Sequence, residues 1–372
     1  MSGIYIHIPF CRKRCNYCDF FFITNTKLKS EYLSALKKEI VLHSDSYKNE
    51  KFDTIFFGGG TPSVLTDVEV SEVISILRNN FNISDSSEIT LESNPEDLEN
   101  DASEKYFNAG ISRFSFGVQS FIESELKFLT RQHTSESAER VIRKAAESTK
   151  NISVDIIYSL PSQNPEDVIF SISKAIDSGA NHISAYSLTY EKGTLLYKSL
   201  EKNPGIKNNS ERDSELFKTV SEKLLSEGFM HYEVSNFARP GFESRHNLKY
   251  WTYENYLGLG PSAHSFFNKR RWNNPGSYSK YINYLNENKL PLEEEYYPDR
   301  DQMKLEFIML GLRSTGINLK KYKLFFGNEF LIDYKDAAQE LIDNGFAELS
   351  ETSFKLNESG YSVADEITSR YF

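Results

Sequence analysis

Every cysteine of this 372-residue chain lies within one stretch of eight residues. Cys11, Cys15 and Cys18 are spaced C-x3-C-x2-C and follow an apolar run, Ile4 to Ile8, that is typical of a strand. A structural zinc site ordinarily takes four protein ligands, and the chain has no fourth cysteine. Three thiolates are enough for an iron–sulfur cluster in which one iron has no protein ligand. The stretch therefore predicts such a cluster, and three unrelated buried or reactive thiols are the alternative.

The composition argues against several classes of protein. A net charge of -10 argues against nucleic acid as a main partner, because a phosphate backbone requires a basic face. No apolar run approaches the roughly 18 residues of a membrane span, so we expect membrane contact to be peripheral at most. The first residues lack the basic region of a signal peptide, and cysteines absent elsewhere fit a reducing compartment. We therefore expect a cytoplasmic protein.

Strand and helix patterns alternate about six times along the first two thirds of the chain. Such alternation predicts right-handed crossovers and a parallel sheet, so the expected fold class is α/β, a partial (β/α)6 barrel similar to a TIM barrel. Helices are predicted between the strands, one of them starting with a capping box at Thr66 and Glu69. The predicted strands are Ile4–Ile8, Asp53–Phe57, Glu88–Glu92, Arg113–Val118, Ser153–Tyr158 and His182–Leu188.

We expect two domains, 1–290 and 291–372, the first with a glycine-, asparagine- and aromatic-rich extension at about 235–290. The second resembles a small winged-helix-like α+β module, although its acidic residues argue against DNA binding. We interpret it as a lid or docking domain. Its predicted elements are a helix over Arg300–Leu312, another near Ile332–Asn344, a hairpin around Phe346–Leu356 and a last helix from Glu358.

Several polar or glycine-containing motifs come directly after predicted strands. In a barrel-like parallel sheet, functional groups gather at the carboxyl ends of the strands. The motifs in question are the cysteine stretch, Gly58-Gly59-Gly60-Thr61-Pro62, Glu92, Gln119 and Asp155. Their common location predicts one site at this edge of the sheet.

Each motif also has a simpler interpretation. The glycine run lacks the Gly-Lys-Ser/Thr of a P-loop, and a triple glycine by itself is more often a tight turn. Glu92 is equally compatible with a salt-bridged residue at the rim of the sheet. The prediction of a site therefore depends on the motifs lying together.

Five motifs occur in order over the first 160 residues and resemble those of the oxygen-independent coproporphyrinogen III oxidase family of the radical S-adenosylmethionine superfamily. They are Tyr5-x-His7-x-Pro9-Phe10-Cys11, Phe57-Gly58-Gly59-Gly60-Thr61-Pro62-Ser63, Glu92-x-Asn94-Pro95, Arg113-x-Ser115-x-Gly117-Val118-Gln119-Ser120 and Asp155-x-x-Tyr158-x-Leu160-Pro161.

The resemblance implies that Cys11, Cys15 and Cys18 bind a [4Fe-4S] cluster and that S-adenosylmethionine occupies the open iron. It implies an electron donor such as flavodoxin or ferredoxin, and cleavage of the sulfonium to a 5′-deoxyadenosyl radical. The implied cofactor-binding residues are Tyr5, Tyr17, Gly59, Gly60, Thr61, Glu92, Gln119, Arg131 and Asp155. Among them, Arg131 would pair with the cofactor carboxylate and Asp155 would bind ribose hydroxyls.

Two branches of the family differ in sequence. The true oxidases carry a further cysteine two positions after the third, where this chain has Phe20. The segment from His246 to Trp251, H-N-x-x-Y-W, is similar to the heme-chaperone branch. Ser159 and Ser162 depart from the family, which usually has glycine at both positions.

The resemblance therefore implies a protein that binds heme and passes it to an acceptor protein, for example of a respiratory chain. Radical decarboxylation of coproporphyrinogen III is the alternative activity, and we do not expect it. His246 is the candidate heme ligand, because it lies in the aromatic segment and begins the signature. A hydrogen-bonded structural histidine is the competing interpretation.

Overall fold

The computed structural model describes residues 1–98, 101–202 and 210–372. Its centre is a run of parallel strands that pair in chain order and are mostly buried on both faces, although the strand His182–Ser187 ends in two exposed residues and the strand Asn82–Ser93 begins in a partly exposed segment. This arrangement confirms the predicted α/β fold with a partial barrel. The strands are β1 (Ser2–Ile8), β2 (Lys51–Gly59), β3 (Asn82–Ser93), β4 (Arg113–Gln119), β5 (Ile152–Tyr158) and β6 (His182–Ser187).

Helices cover the outer face of these strands, and all but two of them, Glu123–Phe128 and Leu195–Lys202, were predicted. Thr66 caps α2 with the predicted capping box, and Asn164 caps α6 with Pro165 at the first helical position. The helices are α1 (Lys29–Tyr47), α2 (Asp67–Asn80), α3 (Ala102–Asn108), α4 (Glu123–Phe128), α5 (Ser135–Ser148), α6 (Pro165–Ser178), α7 (Leu195–Lys202) and α8 (Ser210–Ser226).

The extension adds strands that the sequence analysis did not predict. They are three or four residues long, too short for an alternating pattern to be recognised. β9 pairs in parallel with β1, and the others extend both ends of the sheet. The elements are β7 (Met230–Glu233), β8 (Asn236–Ala238), α9 (Arg245–Trp251), β9 (Tyr256–Leu259), β10 (His264–Phe267), β11 (Arg270–Asn273), α10 (Tyr278–Asn286) and β12 (Glu294–Tyr296).

Within the described ranges the main sheet has twelve strands, in the order β12-β11-β10-β9-β1-β2-β3-β4-β5-β6-β8-β7. It continues through β12, which lies beyond residue 290 and pairs with β11. The division of the chain into 1–290 and 291–372 stays a prediction.

The C-terminal part is a small α+β unit, as expected. Its elements are α11 (Arg300–Leu312), β13 (Ile317–Asn318), α12 (Leu319–Phe326), α13 (Phe330–Asp333), α14 (Lys335–Asp343), β14 (Ala347–Leu349), β15 (Ser353–Leu356), α15 (Glu358–Tyr361) and α16 (Ala364–Tyr371). β13 and α12 were not predicted, and two helices, α13 and α14, take the place of the single helix predicted near Ile332–Asn344. The unit's own hydrophobic cluster also includes Tyr253 and Phe266 of the extension.

The two serines that depart from the family adopt the backbone conformation that glycine favours. Ser159 has φ +61° and Ser162 has φ +63°, both in the left-handed region. Side chains at such positions cost roughly 1–2 kcal/mol. The loop after β5 therefore keeps a glycine-like path in spite of the two substitutions.

A buried carboxylate joins the extension to the barrel. Glu39 of α1 accepts hydrogen bonds from the hydroxyl of Tyr281 at 2.7 Å, the side-chain amide of Asn274 at 2.6 Å and the backbone amide of Gly260 at 2.8 Å. Burial raises the pKa of Glu39 to about 7. These bonds connect α1 with α10 and with the turn that follows β9.

None of the helices in the described residues is both long and apolar enough to cross a membrane.

We expect Tyr281→Phe to lower the free energy of unfolding by about 1–3 kcal/mol, because the Glu39 carboxylate loses a donor in a buried site. Chemical denaturation of the cluster-free protein measures this loss. Tyr284→Phe is the matched control, since Tyr284 lies on the same helix and is only half-buried. Equal effects of the two substitutions would contradict the role given to Glu39.

Candidate cofactor site

The cysteine loop begins at the end of β1 and is fixed at several points. The amide of Cys11 donates to the carbonyl of Ile23 at 3.0 Å, which closes the loop. Asn16 donates from its backbone amide to Thr130 Oγ1 at 3.1 Å and from its side chain to the carbonyl of Phe128 at 2.8 Å. The loop is therefore attached both to its own strand and to the segment after α4.

A salt bridge anchors the other side of the loop. Arg12 Nε lies 2.5 Å from Asp97 Oδ1, and Ser63 donates to the second oxygen of Asp97 at 3.0 Å. The Asp97 side chain is only 1% exposed although Arg12 is 66% exposed. The loop, the turn after β2 and the turn after β3 are thus connected through one buried carboxylate.

The three thiols line one cavity of about 850 Å³ at the carboxyl ends of the strands. Each cysteine is half-buried. Thr61 Oγ1 lies 3.5 Å from Cys11 Sγ, and Arg131 Nη1 lies 3.4 Å from Cys15 Sγ. Burial raises the pKa of the Cys11 thiol to about 11, so cluster binding must release a proton there.

The arrangement of the thiols fits a cluster better than a single ion. In the described part of the chain, no three histidine, cysteine or acidic side chains meet as the ligands of one metal ion would. A four-iron cluster does not require such a meeting, because each thiolate ligates a different iron. Three cysteines that share a cavity therefore suit a [4Fe-4S] cluster with one iron left free.

The glycine run packs directly against the cysteine loop. Gly60 donates its amide to the carbonyl of Ile8 at 2.8 Å, and Thr61 donates to the carbonyl of Phe10 at 2.7 Å. A Cβ at Gly60 would come within 2.7 Å of the Phe10 carbonyl oxygen, and Gly59 has φ +108°. Close packing on β1 therefore requires glycine here, while the same residues leave their backbone facing the cavity.

Two half-buried carboxylates line the cavity at the ends of β3 and β5. Glu92 accepts the backbone amide of Gly59 at 3.2 Å, and Asp155 accepts Ser115 Oγ at 3.4 Å. Burial, followed by the Asp155 charge, raises the pKa of Glu92 to about 8. Burial also raises the pKa of Asp155. A cationic or hydroxyl-bearing ligand would relieve the repulsion between them.

Arg131 and Gln119 complete the polar wall of the cavity. Arg131 Nη2 donates to Asn94 Oδ1 at 2.6 Å and to the carbonyl of Gly117 at 2.5 Å. Its buried Nε has no hydrogen-bond partner among the described residues. Gln119 follows an irregularity in the pairing of β4 with β5 and has φ +77°, an uncommon conformation for a residue other than glycine.

Of the two tyrosines that the resemblance implies as cofactor-binding residues, only Tyr17 lines the cavity. Burial raises the pKa of the Tyr17 hydroxyl. Tyr5 is absent from the lining among the described residues, and its hydroxyl lies 3.2 Å from His7 Nδ1. A direct contact of Tyr5 with the cofactor stays a prediction.

His246 lies in the core, away from the cavity lining. Its Nδ1 is 2.8 Å from Thr54 Oγ1 and its Nε2 is 2.8 Å from the hydroxyl of Tyr250. The residue is fully buried, and burial lowers its pKa to about 3. Both ring nitrogens already have partners, so this arrangement gives no support to His246 as a heme ligand.

Sequence reasoning missed the residues that the C-terminal unit contributes. Arg313, Tyr361 and Asp365 line the same cavity, and Arg313 pairs with Asp365 at 2.7 Å. Nothing in the spacing of this segment indicates that it faces the cysteine loop. Asp97 was also missed, although it lies close to the Asn94-Pro95 motif.

Comparison with known proteins agrees with this geometry. A family model for the radical SAM superfamily matches residues 5–175, and one for the HemN C-terminal domain matches residues 298–363. A relative named heme chaperone HemW from Bacillus subtilis is 32% identical, with 99% of this chain and 98% of the relative covered. The chain belongs to the HemW family of the radical SAM superfamily.

Further HemW relatives support the assignment. The protein of Lactococcus lactis is 30% identical over 100% of this chain and 97% of its own length. That of Synechocystis sp. is 34% identical over 85% of this chain and 78% of its own. Coproporphyrinogen III oxidase (HemN) from Escherichia coli superposes with a TM-score of 0.84 at 22% identity, covering 99% of this chain and 89% of that one, which shows a common fold.

Membership of the superfamily implies a [4Fe-4S] cluster and S-adenosylmethionine. When bound, the two groups together supply one-electron reductive cleavage of a sulfonium, and the protein supplies binding and orientation. Cys11, Cys15 and Cys18 would hold the cluster. Glu92, Arg131 and Asp155 provide the charged groups suited to the amine, carboxylate and ribose of the nucleoside ligand.

Removing the charge of Asp97 should loosen the cysteine loop without touching a thiol. We expect Asp97→Asn to shorten the lifetime of the reconstituted cluster about threefold, because the Arg12 ion pair is lost while the contact with Ser63 can persist. The decay of the cluster absorbance in air measures this lifetime. Asp101→Asn, which neutralises an exposed carboxylate, is the control, and an unchanged lifetime in Asp97→Asn would contradict the anchoring role.

The raised pKa of Glu92 predicts a pH-dependent stability. The folded protein keeps a proton on Glu92 that the unfolded chain releases above about pH 4.5, so this contribution to stability is lost as pH rises towards 8. Glu92→Gln keeps an acceptor for the Gly59 amide and should raise the Tm of the cluster-free protein by several degrees at pH 8. We expect a smaller effect at pH 5.

Thermal unfolding of both proteins at the two pH values tests this. Glu351→Gln, which neutralises an exposed carboxylate of the C-terminal hairpin, serves as the control. A Tm difference between Glu92→Gln and wild type that is the same at both pH values would contradict the raised pKa of Glu92.

Proposed function

We propose that this protein is a heme chaperone, which binds heme and passes it to an acceptor protein while carrying a [4Fe-4S] cluster and S-adenosylmethionine. The similarity over nearly the whole chain to relatives named heme chaperone HemW carries the proposal. The three half-buried thiols on one cavity support the cluster, and the polar residues deeper in the cavity support the nucleoside ligand.

The residues proposed to bind the cluster and S-adenosylmethionine are, with the exception of Tyr5, residues that line the cavity. Cys11, Cys15 and Cys18 ligate the cluster, and a donor such as flavodoxin or ferredoxin reduces it. We propose that the protein works in the cytoplasm and transfers heme to an acceptor protein, for example a respiratory protein. The residues proposed for S-adenosylmethionine are Tyr17, Gly59, Gly60, Thr61, Glu92, Gln119, Arg131 and Asp155, together with Tyr5.

An anaerobic coproporphyrinogen III oxidase activity is not part of this proposal. The likeness to the oxidase from Escherichia coli concerns the fold alone. Where the oxidases carry a further cysteine, this chain has Phe20, whose side chain is 67% exposed and cannot ligate iron. The loop therefore lacks a thiol that the oxidase branch supplies.

Anaerobic reconstitution followed by heme titration tests the proposal. We expect about four irons and four sulfides per chain, and a heme absorbance change that saturates at one heme per protein. Serine at all three cysteine positions should abolish the iron and sulfide. Wild-type protein that takes up iron and sulfide but leaves the heme spectrum unchanged would contradict the chaperone function.

A second assay separates the two activities. The reconstituted protein is incubated anaerobically with coproporphyrinogen III, S-adenosylmethionine and a chemical reductant. We expect no protoporphyrinogen. Its formation at a rate that depends on the three cysteines would replace the chaperone proposal with the oxidase.

A further inference from the structure

One side of the cavity is formed by the outer face of the cysteine loop and the residues that follow it. Lys13, Arg14, Phe20 and Phe22 all line the cavity, and we call them the loop wall. Lys13 and Arg14 are exposed, and the ring of Phe20 is 67% exposed. A cationic and aromatic surface therefore lies next to the cluster ligands.

The two cations of the loop wall are available to a ligand. Arg12 is engaged by Asp97, whereas neither Lys13 nor Arg14 forms a salt bridge within the described ranges. The guanidinium of Arg14 lies 5.6 Å from the centroid of the Phe22 ring, which places the charge directly beside an aromatic face. Asp19, which precedes Phe20 in the chain, also lines the cavity and places one carboxylate beside the loop wall.

The opposite wall has the contrary charge. Asp213 of α8 and Asp365 and Glu366 of α16 line the cavity there, with Arg313 paired to Asp365. An anionic group entering the cavity is therefore attracted to the loop wall and repelled by the far side. The acidic wall therefore disfavours carboxylates, whereas the loop wall can pair with them.

We propose that the loop wall is the docking site for heme, with the porphyrin ring against Phe20 and Phe22 and the propionates paired with Lys13 and Arg14. This inference rests on the proposed chaperone function and names its binding surface. A flat apolar ring suits exposed aromatic side chains, and propionates suit guanidinium and ammonium donors. Of the described residues no histidine lines the cavity, and the propionate and ring contacts therefore carry the proposal.

The location is compatible with the other ligand. The groups assigned to S-adenosylmethionine, among them Gly59, Glu92 and Asp155, line the inner part of the cavity. The loop wall lies at its exposed rim, so heme and the nucleoside occupy different parts of one opening. Heme on the loop wall would lie beside the cysteine loop without displacing its ligands.

Heme and its dimethyl ester distinguish a propionate site from a purely apolar one. We expect the wild-type protein to bind heme about five- to tenfold more tightly than the ester, because two exposed charge pairs are lost on esterification. We expect Lys13→Gln/Arg14→Gln to weaken heme binding by the same factor and to bind the ester as the wild type does. Phe20→Ser should weaken the binding of both ligands.

Lys48→Gln/Lys51→Gln is the matched control, since it removes two exposed lysines near the amino end of β2, at the opposite edge of the sheet. Iron and sulfide are measured in each variant, and the comparison of the two ligands on wild-type protein needs no substitution. Equal affinities of the wild type for heme and ester, or an unchanged heme affinity in Lys13→Gln/Arg14→Gln, would overturn the assignment of the heme site to the loop wall. Either result would leave the chaperone proposal intact. A wild-type protein that binds neither ligand would overturn the chaperone proposal itself.

Discussion

The site depends on the close approach of two strand ends. The amides of Gly60 and Thr61 donate to the carbonyls of Ile8 and Phe10, which brings the turn after β2 onto the start of the cysteine loop. A side chain at Gly60 would collide with the Phe10 carbonyl, so the approach needs glycine. Because Thr61 also reaches Cys11, this pairing determines where the first thiol lies relative to the polar end of the cavity.

The barrel interior behind the cavity is polar, which is costly unless its charges are compensated. Arg113 is fully buried, and its charge lowers the pKa of Glu88, Glu92 and Asp155 in opposition to burial. Burial still dominates for all three carboxyl groups, whose pKa values lie above their ordinary range. Of the three, Glu92 and Asp155 line the cavity, where a ligand that carries positive charge would stabilise their ionised forms.

The central strands and most flanking helices could be predicted because local patterns determine them. Long apolar runs, capping residues and glycines give signals that need no knowledge of distant partners. The extension could not be predicted in this way. Its strand β9 is only four residues long and is stabilised as a strand by pairing with β1, about 250 residues earlier in the chain. His246 shows the same limit: its signature was visible, but its burial between Thr54 and Tyr250 depends on contacts that spacing does not encode.

The two walls of the cavity present different surfaces to a ligand, although both are attached to the barrel by hydrogen bonds. The C-terminal unit is attached by the amide of Val234, which donates to the carbonyl of Arg313 at 2.9 Å, and by His231 Nδ1, 2.8 Å from Glu358 Oε2. The ring of His231 stacks on Phe237 at 3.9 Å, so this junction is packed as well as hydrogen-bonded. The cysteine loop carries the exposed Phe20 on its outer side. A large planar ligand on the loop would therefore contact an exposed aromatic ring and would not have to separate the packed elements of the C-terminal junction.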